Sequence, residues 1–241
     1  MRVVVCLFFL LVFYSCKKTG STTPAVTANS ITPAPAILPG DSVSYLALGD
    51  SYTYGLDVAQ NQSYPYQLDS VLRLNGYKPA KPVVIARFGW TSADLLTGIK
   101  SANLTQPFDI VAIMIGVNDQ NKGINTETFR SNLDQLITNA ILLAKGHSSR
   151  VFVISIPDWS ITPFAANMDK TQIAAAVQLF NTINQAEAGK FKVNYIDITA
   201  LSELMGSDPT LVSSDGLHPS AKMYNLWVNL FYVKITASFK Q

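Results

Sequence analysis

The sequence predicts an α/β fold, namely a three-layer α/β/α domain built on a doubly wound (flavodoxin-like) sheet of about five parallel strands. Two observations lead to this prediction. Five short runs of consecutive apolar residues, rich in valine and isoleucine, are typical of strands buried on both faces. Segments with helical features separate these runs, and such alternation indicates a parallel sheet covered by helices on both sides.

The predicted strands are short, as buried strands usually are. They are Val43–Leu48, Pro82–Ala86, Ile110–Ile115, Val151–Ile156 and Val193–Ile198. In a doubly wound sheet the ligand binds outside the carboxyl ends of the strands. The residues that directly follow these five runs are therefore the candidates for chemistry.

Helices are predicted between the strands and after the last one. They are Tyr64–Asn75, Ser92–Lys100, Thr126–Lys145, Lys170–Ala188 and Ala221–Phe239. Gly76 is a good C-terminal stop for the first helix, and Thr91 can cap the second. The third places its apolar side chains on one face at helical spacing and stops at Gly146.

Residues 1–15 have the pattern of a secretory signal peptide, with a positive start, an apolar run from Val3 to Tyr14 and the small residue Ser15. The run is shorter than the roughly 20 residues that a helix needs to cross a bilayer, and an uncleaved membrane anchor is the alternative. The segment resembles a bacterial lipoprotein signal, which implies that Cys16 is acylated. We therefore expect an exported protein that is attached to a membrane through Cys16, in the periplasm, at the outer membrane or at the cell surface.

Residues 17–40 are rich in proline, serine, threonine and alanine and contain no aromatic residue. This composition offers no periodic apolar face and predicts a linker. The predicted organisation is thus a signal peptide at 1–15, a lipidated cysteine with a linker at 16–40, and one folded domain at 41–241.

The composition argues against several classes of function. The 241 residues are 48% hydrophobic, which suffices for a sizeable core, and the net charge of +2 without a basic block gives no support for binding nucleic acid. Two cysteines cannot build a disulfide scaffold, and two histidines without a carboxylate cluster at ligand spacing do not predict a metal site. No cofactor is predicted.

Short motifs follow the first three predicted strands. Ser51 lies between glycines after the first strand, Gly89 follows the second, and Asn118 follows the third. Each motif alone is also typical of an ordinary turn, because glycine, aspartate and asparagine suit turn conformations. Alternatively, Ser51 is exposed on a tight turn before a helix, and Asn118 directs its amide into a site as an oxyanion donor.

A fourth motif precedes the last predicted helix. Asp215 and His218 are three residues apart in a loop with glycine and proline, so the carboxylate can turn back onto the imidazole and fix its tautomer. A helix cap beside a solvated histidine is the alternative. A serine hydroxyl needs a neighbouring base, and His147 has no carboxylate in its loop, which leaves His218 as the candidate base for Ser51.

Together, the four motifs resemble those of the SGNH (GDSL-type) hydrolase superfamily of serine esterases and lipases, in the same order and across the whole domain. The four signature residues are Ser51, Gly89, Asn118 and His218. The resemblance implies that Ser51 is the nucleophile, His218 the general base and Asp215 its orienting carboxylate. It also implies an oxyanion hole formed by the N–H groups of Ser51 and Gly89 and the side-chain amide of Asn118.

The predicted function is an exported ester hydrolase that removes acyl groups, such as acetyl or other short chains, from small esters or acylated glycans. Lipid esters and thioesters fit the same chemistry. A non-catalytic surface lipoprotein that binds glycan or lipid is the alternative, although a pure binder needs no oriented base. Aromatic residues near the first two strand ends and the segment Pro157–Phe164 are candidates for the cleft walls or for packing at the sheet edge.

Overall fold

The computed structural model describes residues 33–240, so the predicted signal peptide and Cys16 lie outside the described residues. Within that range, none of the helices combines the length and the apolar character that crossing a bilayer requires.

A parallel sheet of five strands forms the centre of the domain. The strands of the described residues, in chain order, are Ser42–Val43 (β1), Tyr45–Gly49 (β2), Lys78–Pro79 (β3), Val83–Ala86 (β4), Ile110–Met114 (β5), Val151–Ile154 (β6) and Asn194–Ile196 (β7). The spatial order in the central sheet is β4–β2–β5–β6–β7, and β1 pairs separately with β3. Leu46 pairs with Val83 on one side and with Val111 on the other. Every residue of β2, β5 and β6 is buried, which explains why these runs are apolar at consecutive positions. The predicted doubly wound sheet is confirmed.

The helices form two groups that cover the sheet. They are Ser51–Tyr54 (α1), Tyr64–Leu74 (α2), Ser92–Ala102 (α3), Val117–Asn121 (α4), Thr126–Leu143 (α5), Lys170–Phe191 (α6), Thr199–Glu203 (α7) and Ala221–Ser238 (α8). Helices α3, α5 and α6 pack in a row, and α2 packs against α8. Right-handed crossovers place α2 on the opposite face from α3, α5 and α6, because the chain moves from β2 to β4 in one direction and from β4 to β7 in the other.

The core lies on both faces of the sheet and contains aromatic pairs between helices. On one face, the ring of Tyr64 in α2 meets Phe231 in α8 edge to face, with ring centroids 5.3 Å apart. On the other face, Phe129 in α5 packs on Phe180 in α6 at 4.7 Å. All five predicted helices are present within a few residues of their predicted bounds, whereas the short helices α1, α4 and α7 were not predicted.

Two predicted boundaries need correction. The first strand does not run unbroken from Val43, because the N–H and hydroxyl of Ser44 both donate to the carboxylate of Asp109 and take Ser44 out of the ladder. The folded domain also begins before residue 41. Ala34 and Ile37 are buried, and the Ile37 N–H donates to the carbonyl of Phe239 at 2.9 Å, so the end of the predicted linker packs on the domain.

Gly49 ends β2 at a point where two other chain segments come very close. A Cβ atom there would overlap the carbonyl oxygen of Met114 and the side chain of Thr53, and a backbone carbonyl in a buried strand has little freedom to move away. By contrast, Gly189 lies in α6 with open space around the position of its Cβ.

We expect Gly49→Ala to lower the free energy of unfolding by about 1–3 kcal/mol through overpacking. Gly189→Ala is the matched control, and it should raise the free energy of unfolding by about 0.5–1 kcal/mol because alanine loses less backbone entropy in a helix. Urea unfolding of both variants measures the difference. A Gly49→Ala protein as stable as the unmodified chain would contradict the close approach.

Candidate active site

A cleft of about 280 Å³ opens beyond the carboxyl ends of β2 and β5. This is the switch point of the sheet, where the connections from neighbouring strands leave toward opposite faces and a ligand crevice is expected. The lining is mainly apolar and consists of Ser51, Tyr52, Leu56, Phe88, Val117, Asn118, Asn121, Trp159, Phe164, Asp215, Leu217 and His218. Four of the predicted site residues therefore share one cleft. Gly89 is not part of the lining, although its neighbour Phe88 is.

A chain of hydrogen bonds joins Ser51, His218 and Asp215 inside the cleft. The His218 Nε2 atom lies 2.9 Å from the Ser51 Oγ atom, and Nδ1 lies 2.5 Å from an oxygen of Asp215. The carboxylate can only accept, so Nδ1 carries the proton and Nε2 is free to accept the hydroxyl proton of Ser51. This tautomer is the one that a general base requires.

The second oxygen of Asp215 accepts three further hydrogen bonds within its own loop. The donors are the N–H groups of Leu217 and His218, at 2.8 and 2.9 Å, and the hydroxyl of Ser213 at 3.0 Å. Burial would raise the pKa of Asp215, but these N–H donors and the imidazole together hold the pKa below its ordinary value. Asp215 is therefore ionised at neutral pH and suited to stabilise an imidazolium.

The imidazole of His218 is also held by packing. Its ring centroid lies 4.9 Å from that of Tyr52, which directly follows Ser51 in α1. The carbonyl of Tyr52 accepts a hydrogen bond of 2.9 Å from the hydroxyl of Tyr224 in α8. The residue that follows Ser51 thus packs against the candidate base, and α8 is hydrogen-bonded to the backbone of that residue.

Local chemistry places Ser51 at the start of α1. The side chain of Asp50 caps the helix by accepting the Tyr52 N–H at 3.0 Å, and Gly55 ends it in a left-handed conformation with φ of 81°. The first N–H group of a helix has no partner within the helix. The Ser51 N–H accordingly makes no hydrogen bond to any residue in the described range.

Hydrogen bonds join the segments that carry Gly89 and Asn118. The side-chain amide of Asn118 donates to the carbonyl of Trp90 at 3.0 Å, and the Lys122 ammonium donates to the carbonyl of Gly89 at 2.8 Å. An amide nitrogen has two N–H groups, so Asn118 keeps one for a ligand in the cleft. Gly89 has a left-handed φ of 75°, and its N–H has no acceptor among residues 33–240.

Asp119 lies behind this pair rather than in the cleft. Its two oxygens accept the N–H and the hydroxyl of Ser92, at 2.8 and 2.5 Å, and Asn132 donates to the same hydroxyl at 3.0 Å. Burial raises the pKa of Asp119 against these hydrogen bonds. This network links the starts of α3 and α4 to α5, next to the segments that carry the candidate oxyanion donors.

Of the aromatic residues near the first two strand ends and in the segment Pro157–Phe164, some line the cleft and others do not. Tyr52 and Phe88 line the cleft, and so do Trp159 and Phe164 from the segment after β6. Tyr64 belongs to the core, and the ring of Trp90 covers Gly98 on α3. His147 precedes β6 and so lies near its amino end, away from the cleft, as expected for a helix-end residue.

Four lining residues were not predicted from the sequence, namely Leu56, Val117, Asn121 and Leu217. Each lies within a few residues of a motif, and that proximity is the signal that could have identified them. Among residues 33–240, no group of three or more histidine, cysteine, aspartate or glutamate side chains is arranged to hold a metal ion.

Comparisons with known proteins agree with this fold and identify a family. A model of the GDSL-like lipase/acylhydrolase family matches residues 47–226, which contain all four motifs. No curated protein matches the chain in sequence. Similar solved structures include a psychrotrophic esterase from Pseudoalteromonas sp., with a TM-score of 0.64 and 16% identity over 82% of this chain and 99% of that chain.

Two further similar structures have comparable values. A lipase/acylhydrolase from Enterococcus faecalis has a TM-score of 0.62 and 24% identity over 81% of this chain and 96% of that chain. An acetylxylan esterase from Geobacillus stearothermophilus has a TM-score of 0.61 and 17% identity over 82% of this chain and 96% of that chain. At these identities the similarity shows a shared fold.

Asp50, beside the candidate nucleophile, is a buried ionisable group. One of its oxygens caps α1, but the other is buried and has no hydrogen-bond partner among the described residues. Burial raises the pKa of Asp50 to about 7 against the opposing Tyr52 N–H, and the carboxylate of Asp119 adds to the rise. The folded protein therefore holds this proton more tightly than the unfolded chain does.

A carboxyl group with a raised pKa makes the free energy of unfolding fall as the pH rises from its unfolded value of about 4 to its folded value of about 7. Asparagine retains the capping oxygen without titrating. We therefore expect the stability of Asp50→Asn, relative to the unmodified chain, to increase between about pH 5 and pH 8. Asp169→Asn, at the exposed cap of α6, is the matched control. Urea unfolding at pH 5 and pH 8 gives the free energy of unfolding of each protein. If this free energy changes with pH in parallel for Asp50→Asn and the unmodified chain, the prediction is contradicted.

Proposed function

The chain belongs to the GDSL-like lipase/acylhydrolase family, and on this premise we propose that it hydrolyses carboxylic esters through an acyl-enzyme on Ser51. The observation that carries the proposal is the series of hydrogen bonds from Ser51 to His218 and from His218 to Asp215, at 2.9 and 2.5 Å, within the apolar cleft. A protein that only binds its ligand has no need of an oriented base beside a buried serine.

In the first half of the proposed reaction, the Ser51 Oγ atom attacks the ester carbonyl while His218 Nε2 takes its proton. Asp215 stabilises the imidazolium that forms. The carbonyl oxygen becomes an oxyanion, which accepts hydrogen bonds from the N–H groups of Ser51 and Gly89 and from the amide of Asn118. The imidazolium then gives its proton to the leaving alcohol as the ester C–O bond breaks.

In the second half, a water molecule attacks the acyl group on Ser51. His218 accepts a proton from the water and returns it to the Ser51 oxygen as the acid is released. The same three donors stabilise the second oxyanion. Each cycle therefore consumes one ester and one water, produces one acid and one alcohol, and restores the free serine.

The cleft supports a short acyl group and a neutral alcohol as the substrate. Its volume of about 280 Å³ lies just below the usual range for small-molecule sites, and no lysine or arginine among the described residues lines it. Phe88 and Phe164 line the cleft and are 66% and 50% exposed, so they offer apolar surfaces at its opening for an alcohol such as an acylated sugar. The structural similarity to an acetylxylan esterase is consistent with that class.

We expect a chain that begins at residue 17 to hydrolyse 4-nitrophenyl acetate. Ser51→Ala and His218→Ala should each remove nearly all turnover, and the double variant should be little worse than either single one, because the two residues act as one proton-transfer unit. Steady-state kinetics of the three variants measure this. Additive losses, or full activity of Ser51→Ala, would refute the proposed mechanism.

A separate comparison tests the oxyanion donor. Asn118→Ala should lower kcat by about 10²–10³ and change KM only a few-fold, because a preorganised donor acts mainly in the transition state. Asn121→Ala is the matched control, since Asn121 is on the same helix and lines the same cleft without an assigned role. Both variants should retain the melting temperature within a few degrees. Equal effects of the two substitutions on kcat would contradict the assignment of Asn118 to the oxyanion hole.

A further inference from the structure

Asp57 connects the segment after the nucleophile to the loop that carries Asp215 and His218. One oxygen of the Asp57 carboxylate accepts two hydrogen bonds, from the hydroxyl of Ser214 at 2.7 Å and from the N–H of Asp215 at 2.9 Å. The residues that it joins are more than 150 positions apart in the chain. No other hydrogen bond in the described range joins residues 51–57 to the backbone of that loop.

The backbone of Asp57 is itself unusual. Asp57 has a left-handed conformation with φ of 63°, which costs an ordinary residue about 1–2 kcal/mol. Aspartate and asparagine adopt this conformation more readily than other side chains. A conformation of this kind persists where the surrounding contacts require it, and such sites cluster around functional centres.

The loop that Asp57 contacts needs external support. Residues 213–218 lie between two residues, Val212 and Pro219, that form an isolated bridge, and the loop contains no helix or strand. On one side, the carbonyl of Gly216 accepts the N–H of Phe164 at 2.9 Å. Asp57 supplies the corresponding contact on the other side, at the backbone of the residue whose carboxylate orients the imidazole.

We propose that Asp57 is a positioning residue for the catalytic base, because it fixes the backbone of Asp215 so that the Asp215 carboxylate holds His218 in line with Ser51. This inference rests on the proposed function for its kinetic consequence. Asp57 does not touch the reacting atoms. Its contribution comes from geometry, since a displacement of about 1 Å in a catalytic group can lower the rate about 100-fold.

Two substitutions at Asp57 separate positioning from backbone strain. Asp57→Asn keeps an acceptor oxygen and tolerates the left-handed conformation, so it should rescue the function. Asp57→Gly removes the acceptor while relieving the strain, so the loss of the contact is tested without an added steric penalty. Asn103→Gly is the matched control, because Asn103 is another non-glycine residue with positive φ and does not line the cleft.

The test uses the full chain and has two measurements. The first is the NMR signal of the His218 Nδ1 proton, which the hydrogen bond to Asp215 shifts strongly downfield; His147→Gln assigns it, since the sequence has only two histidines. The second is the kinetics of 4-nitrophenyl acetate hydrolysis. We expect Asp57→Gly to broaden or remove the proton signal and to lower kcat by about 10- to 100-fold, with KM changed less than about threefold. Asp57→Asn and Asn103→Gly should resemble the unmodified chain in both measurements.

The outcomes distinguish this inference from the proposed function. An unchanged proton signal in Asp57→Gly, or an unchanged kcat in an active enzyme, overturns the role of Asp57. Absence of the downfield signal in the unmodified chain also overturns the role of Asp57, because the hydrogen bond between Asp215 and His218 is then missing. Loss of the signal in Asp57→Gly alone, in a chain that hydrolyses no ester, supports the positioning role and refutes the hydrolase.

Discussion

The position of β2 between β4 and β5 is the constraint on which the rest of the site depends. The connection that follows β2 leaves toward one face of the sheet, whereas those that follow β4 and β5 leave toward the other, so a crevice opens above the carboxyl end of β2. Gly49 lets the Met114 carbonyl approach closely, and α1 can begin directly after the strand. Ser51 consequently lies at the base of the cleft on a buried scaffold, where its position varies less than it would on an exposed loop.

The same topology also brings together polar groups on the segments that follow β4 and β5. The strand ends of β4 and β5 bring Gly89 and Asn118 onto adjacent segments, which are cross-linked by the hydrogen bonds of Asn118, Lys122 and Asp119. Donors that are fixed before the reaction need no reorganisation when charge develops. Asp50 shows the cost of the arrangement, because one of its buried oxygens has no partner. Stability is lowered beside the proposed nucleophile, as is common at functional sites.

The proposed base is held in a different way from the proposed nucleophile. Ser51 belongs to the sheet–helix framework, whereas His218 lies in a loop whose shape depends on hydrogen bonds within it and on contacts from two sides. The segment with Phe164 contributes a contact to this loop and also lines the cleft. The segment that contains Leu56 and Asp57 does the same from the other side. The walls of the cleft and the loop that holds the proposed base are therefore parts of one structure.

The sequence by itself determined the type and order of the main elements and the location of the four motifs. Strands buried on both faces need consecutive apolar residues, and helix ends need particular capping residues, so both leave a local record in the chain. The relation between strand ends and ligand sites then indicated that the motifs belong together. Ser51, Asn118, Asp215 and His218 could be proposed on this basis, and the structure places them in one cleft.

Only the tertiary structure decided which residues meet across the chain. The contact between Ser51 and His218 spans 167 positions, and the hydrogen bonds of Asp57 span nearly as many. No feature of the sequence around Asp57 predicts these hydrogen bonds. The sequence likewise did not predict that Ile37 is buried, or that Tyr52 lines the cleft while Tyr64 lies in the core. An aromatic or apolar residue fits a core, a cleft wall or a packed terminal segment equally well. Local patterns record backbone conformation and burial, whereas the partner of a side chain is set by how distant elements pack.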